Sequence, residues 1–227
     1  MDPRRTVSAC FSLFLNFAIL TYFPALGFPL TEPRNYFFAN LLYMTVNFAV
    51  MLLIFRRTLW QSLREFEGKM LLSVLIGFGM CYGANLVLTT AYTVLDIMPE
   101  NYNQEAVNSL LGGYPLAMTL CTVVLAPLAE ECLFRGVLFA PLARKCLPAA
   151  YALSMFLFAG MHVFQFLGSM TAANTILCLS LYLPASFSLC WVYQKTGNIW
   201  ASIFLHMFIN FQSVLASLLR SLMQAFL

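Results

Sequence analysis

Residues 70–95 read MLLSVLIGFGMCYGANLVLTTAYTVL, a run that contains no Asp, Glu, Lys or Arg. A helix needs about 20 such residues to cross the hydrocarbon core of a bilayer. Similar apolar runs recur near 7–25, 36–55, 113–140, 149–167, 174–194 and 199–219, with only short polar joints between them. The chain is 61% hydrophobic and 9% charged over 227 residues, where a soluble domain carries about 25% charged residues. These features predict an all-α polytopic transmembrane bundle of about seven spans, a single membrane domain over 1–227. The first run follows Arg4 and Arg5 as a signal peptide's would, but it is too long and lacks a small-residue cleavage site, so it reads as retained.

The run at 113–140 is too long for one straight crossing. Pro115, Pro127, Gly136 and Pro141 offer places to bend or end it, and its last turns are expected as a separate helix near the interface. Basic residues fall in alternate joints: Arg56, Arg57, Arg64 and Lys69 in one, Arg144 and Lys145 in another, and Lys195 before the last span. The joint at 96–112 holds Asp96, Glu100 and Glu105 and no basic residue. The positive-inside rule puts the basic joints and the N-terminus in the cytosol. Arg220 falls on the wrong side of this count, which leaves room for an eighth, re-entrant or interfacial segment.

The net charge of +3 is spread over these joints, so it marks topology and not a nucleic-acid surface. Leu59, Leu63 and Phe66 beside Trp60 are spaced as an amphipathic helix on the inner leaflet, or as a simple connector. Seven cysteines are scattered with no C-x-x-C pair and read as apolar packing residues.

Against this background three clusters of ionisable residues stand inside apolar spans: Glu130, Glu131 and Arg135; His162; and His206 with Asn210. One charge at mid-bilayer costs about 2.5 to 3.5 kcal/mol on the lenient insertion scale, so a shared polar cavity is expected. Glu131 and Arg135 lie four apart, in the order that favours an ion pair on one helix face. Glu130 points about 100° away and has no basic neighbour on its own helix, so it must find its partner on another helix or stand desolvated. Such a carboxylate suits a general base. Each cluster has a plain structural reading too: a buried salt-bridge lock, a core histidine bonded to a backbone carbonyl, and interhelical glue. Counted along the chain, all three are reachable from one cytosolic opening. A carboxylate and an imidazole can activate water, and a second imidazole with an amide can donate to an oxyanion. Glu130, His162 and His206 could instead ligate zinc from three helices, since no H-E-x-x-H helix is present. Cys132 points away from Glu130 and is set aside as a nucleophile.

The order E-E-x-x-x-R, F-x-x-x-H and H-x-x-x-N, here Glu130-Glu131 with Arg135, Phe158 with His162 and His206 with Asn210, resembles the CAAX-prenyl-protease and bacteriocin-processing (CPBP, or Abi) family over about 121–212. The resemblance implies an intramembrane endopeptidase open to the cytosol in the cell membrane. Glu130 and His162 would activate water, His206 and Asn210 would stabilise the oxyanion, and Glu131, Arg135 and Phe158 would support them. No cofactor is expected, although the family has been described both as metalloproteases and as metal-independent glutamic proteases. Family members remove C-terminal tripeptides from prenylated proteins, process or confer immunity to peptides such as bacteriocins, or serve as scaffolds. The substrate is thus expected to be a peptide or a lipidated protein. A non-catalytic scaffold or immunity protein and a proton-coupled transporter are the alternatives.

Overall fold

The computed structural model describes Val7, Phe11, Leu15, Ala18, Ile19, Tyr22 and residues 24–225. The expected first span at 7–25, with Arg4 and Arg5, therefore falls largely outside the described residues. The helices described are α1 Pro33–Arg64, α2 Lys69–Val94, α3 Tyr102–Gly113, α4 Pro115–Ala143, α5 Leu147–Val163, α6 Ala172–Thr196 and α7 Ile199–Ala225. A 3₁₀ segment, Phe164–Ser169, prolongs α5. All but α3 belong to segments long and apolar enough to cross a membrane. The chain is a helical integral membrane bundle. Exposed Leu71, Leu72, Leu75, Ile76, Leu86 and Val87 give α2 an outward apolar surface that suits lipid and not water.

Two expectations are corrected. The 56–69 segment does not lie apart on a membrane surface: residues to Arg64 continue α1, and Phe55, Leu59 and Ser62 are buried. The run after Glu130 does not form a separate interfacial helix, because α4 continues through Ala143 as one span. It absorbs its extra residues in two π-helical stretches, Cys121–Leu125 and Cys132–Phe139. These bracket the short α-helical piece Ala126–Glu131 that carries both glutamates. π turns inside α-helices are frequent at functional sites.

Two locks set the ends of the bundle. Gly197, in the left-handed conformation at φ 65°, closes α6 and turns the chain into α7. There Asn198 Nδ2 donates to Ser62 O at 2.7 Å, Ser62 Oγ donates to Asn198 Oδ1 at 2.8 Å, and Trp200 Nε1 donates to Leu59 O at 2.7 Å. This fixes the start of α7 against the basic end of α1. At the other end Asn101 caps α3 by accepting from Gln104 N at 3.1 Å, the type of N-cap that Asn favours. The 96–112 joint is bound there to α6 and α7, with Asn174 Nδ2 donating to Glu100 O at 3.0 Å and Ser213 Oγ donating to Gln104 Oε1 at 3.2 Å. Between the locks the helices approach closely. A Cβ on Gly136 would lie 2.5 Å from the Phe55 ring, and one on Gly77 would lie 2.5 Å from Val192, the small-residue contact that lets membrane helices meet.

Candidate active site

Arg135 is fully buried in the second π stretch. It donates through Nη1 to Glu131 Oε1 at 3.0 Å and through Nη2 to Ser186 O of α6 at 3.1 Å. Its guanidinium also lies 5.3 Å from the centre of the Phe158 ring, within cation–π range. The in-helix pair expected from the four-residue spacing is present. Glu131 does more than the spacing suggested, since it also accepts from the Ser202 hydroxyl and, at 2.9 Å, from His206 Nδ1. Both of its oxygens are engaged: the carboxylate joins α4 to α7, and Arg135 extends the link to Ser186 of α6.

A carboxylate only accepts, so His206 must carry its proton on Nδ1, and Nε2 is the nitrogen turned toward Glu130. Nε2 lies 3.8 Å from Glu130 Oε2, and this buried oxygen has no hydrogen-bond partner. The off-helix neighbour expected for Glu130 is therefore His206. Nε2 can donate only from the doubly protonated ring. His162 is fixed in the same sense: its Nδ1 donates to Phe158 O at 2.8 Å, which leaves Nε2 for other work. The Phe158 ring packs beside both imidazoles, with centroids 4.7 and 5.6 Å away.

Asn210 is committed in part to structure. Its Nδ2 donates to Thr122 O at 2.8 Å. The first π stretch pairs Ala126 N–H with Cys121 O, and one residue further on that register would require an N–H from Pro127, which has none. Asn210 supplies the missing donor. Its second amide hydrogen remains for the cavity.

Glu130, His162, His206 and Asn210 line one cavity of about 380 Å³. Tyr182, which nothing local marks out among the aromatics of the spans, stacks on His162 at 4.6 Å and donates its hydroxyl to Asn101 Oδ1 at 2.9 Å. The cavity wall includes Asn101, Asn103 and Gln104 from the 96–112 joint, so the cavity lies toward that end of the bundle and away from the basic joints. Residues in mid-helix are equally far along the chain from either end, and the Ser62–Asn198–Trp200 lock fills the basic end.

In the zinc alternative Glu130, His162 and His206 would be the ligands. Among the described residues no three His, Cys, Asp or Glu side chains converge into a ligand set, and Glu131 holds His206 beside Glu130 in a hydrogen-bonding arrangement. As they stand, the residues do not fit a resident metal.

Residues 112–212 match the family described as Type II CAAX prenyl endopeptidase Rce1-like. The motif-bearing segment is thus similar to this endopeptidase family. The chain is also 27% identical over 212 residues to the "Putative membrane peptidase YdiL" of Bacillus subtilis (strain 168), covering 87% of this chain and 82% of that one. It is 28% identical over 127 residues to the "UPF0177 protein YxdF" of Lactococcus lactis subsp. lactis (strain IL1403), covering 56% of this chain and 65% of the relative. No solved structure matches. The matched segment, 112–212, holds all four cavity residues named above.

Proposed function

We propose that this chain is an intramembrane endopeptidase acting on a membrane-associated peptide or protein. The observation that carries the reading is the contrast within the glutamate pair: Glu131 is saturated with donors, whereas Glu130 Oε2, at the cavity, accepts no hydrogen bond. Water placed between Glu130 and His162 Nε2 gives up a proton to Glu130 as its oxygen attacks the scissile carbonyl carbon. His206 Nε2–H and the free amide hydrogen of Asn210 donate to the oxyanion. Glu130 then passes the proton to the leaving nitrogen, the C–N bond breaks, and a carboxylic acid and an amine result. Glu131, Arg135 and Ser202 hold the His206 ring in place. The test is cleavage of a panel of prenylated and leader peptides by detergent-purified protein, with Glu130→Gln as control.

No step here uses a metal, and full activity is expected to survive exhaustive chelation of purified protein with no metal detected. Stoichiometric zinc lost and restored together with activity would replace this scheme by one in which Glu130, His162 and His206 are ligands.

The basic joints share one end of the bundle, so the positive-inside rule assigns that end to the cytosol and the cavity to the opposite face of the cell membrane. Single cysteines in a cysteine-free background at 58–66 and 144–147 should be labelled only from the cytosolic side, and those at 100–106 only from outside. The reverse pattern inverts the orientation and returns the cavity mouth to the cytosol.

A further inference from the structure

We infer that Tyr182 is a positioning residue for His162, and that the 96–112 joint holds it to that task through Asn101 and Asn103. The inference rests on the peptidase reading, in which His162 Nε2 orients the attacking water.

The hydrogen bond from His162 Nδ1 to Phe158 O fixes one atom of the imidazole and leaves its plane free to swing about that atom. The plane is set by the rings packed against it. The Phe158 ring, from the same helix, is itself held by Phe134 and the Arg135 guanidinium, and it meets the imidazole at 42°. The Tyr182 ring comes from α6 and lies flatter, at 25°. What holds Tyr182 lies outside the matched segment. Its hydroxyl donates to Asn101 Oδ1 at 2.9 Å and accepts from Asn103 Nδ2 at 3.1 Å. A tyrosine with its tip in a protein wall generally finds one partner; this one is held on its donor and its acceptor side by residues two apart, so the ring cannot turn without breaking a bond.

A plainer reading makes these bonds a fastening for the joint, but the joint is fastened without them. Glu100 N–H donates to Asn174 Oδ1 at 2.9 Å, Asn174 Nδ2 donates back to Glu100 O at 3.0 Å, Ser213 Oγ donates to Gln104 Oε1 at 3.2 Å, and Tyr102 stacks on Phe166. Asn101 Oδ1 also keeps its capping bond from Gln104 N when the hydroxyl is gone. The consequence left to the hydroxyl is the placing of its own ring. Its proton is committed to Asn101, so its loss takes no donor from a substrate. A functional side chain has to be held within about 0.5 Å of its productive place by packing and by hydrogen bonds to its supports. Since a misplacement of about 1 Å can cost about 100-fold in rate, a ring loosened but still confined should cost about tenfold.

Tyr182→Phe protein should therefore unfold at the wild-type temperature and hydrolyse peptide with kcat about tenfold lower and KM unchanged. Asn103→Ala, which acts from outside the spans, should lower kcat in the same direction, and adding it to Tyr182→Phe should cost nothing more, because the hydroxyl it serves is already absent. The chain has two histidines, so NMR of ring-labelled histidine in detergent gives two sets of signals, assigned with His162→Gln. In Tyr182→Phe the His162 signals should broaden or split and those of His206 should not. Wild-type kcat in Tyr182→Phe, His162 signals as sharp as in wild type, or a kcat loss that tracks a lowered unfolding temperature overturns the inference. If wild type hydrolyses nothing and the His162 signals still respond to Tyr182→Phe, the positioning role stands and the peptidase reading falls.

Discussion

Glu130→Gln protein should insert and fold as wild type does while its peptide hydrolysis falls by about 100- to 10,000-fold, the range typical of losing a general base. The substitution keeps the shape of the side chain and removes its capacity to accept the proton. It should leave the fold alone because Glu130 Oε2 makes no hydrogen bond, so no internal bond is lost with its charge. The measurement is kcat/KM in detergent, together with a thermal unfolding midpoint to show that the fold is intact. A well-folded Glu130→Gln protein that still cleaves at the wild-type rate removes Glu130 from the chemistry.

Arg135→Ala should have the opposite profile. The guanidinium joins Glu131 to the Ser186 carbonyl between the Phe134 and Phe158 rings. Its removal strands a fully buried carboxylate, at a cost of about 3 to 5 kcal/mol for a broken buried pair. Thermal stability and yield should therefore drop well below those of Glu130→Gln. Activity should decline as well, since Glu131 orients His206. If Arg135→Ala is as stable as wild type and yet inactive, Arg135 acts in the chemistry and not as part of the lock.

The membrane fold could be read from the sequence because a bilayer imposes one requirement, an uncharged helical run long enough to cross it, and residues 70–95 meet it without ambiguity. The Glu131–Arg135 pair was legible for a similar reason: its geometry is internal to one helix. What lay between helices was not. Ser202 and Ser186 are common residues in membrane spans, and nothing local marks them as partners of Glu131 and Arg135. The π stretches were hidden too, since their sequences, CTVVL and CLFRGVLF, suit an α-helix equally well. The end of the bundle that holds the cavity depends on how helix ends pack, here on Ser62, Asn198 and Trp200, and counting residues along the chain could not supply it.

The bond between Asn210 and Thr122 ties two positions 88 residues apart into a single heritable unit. Asn210 is needed there because Pro127 withholds a proton from its own helix. Replacing the proline returns a competitor for the Thr122 carbonyl, and replacing the asparagine leaves that carbonyl bare. For as long as residue 127 is proline, a substitution at Asn210 therefore forfeits this bond as well as a donor to the cavity.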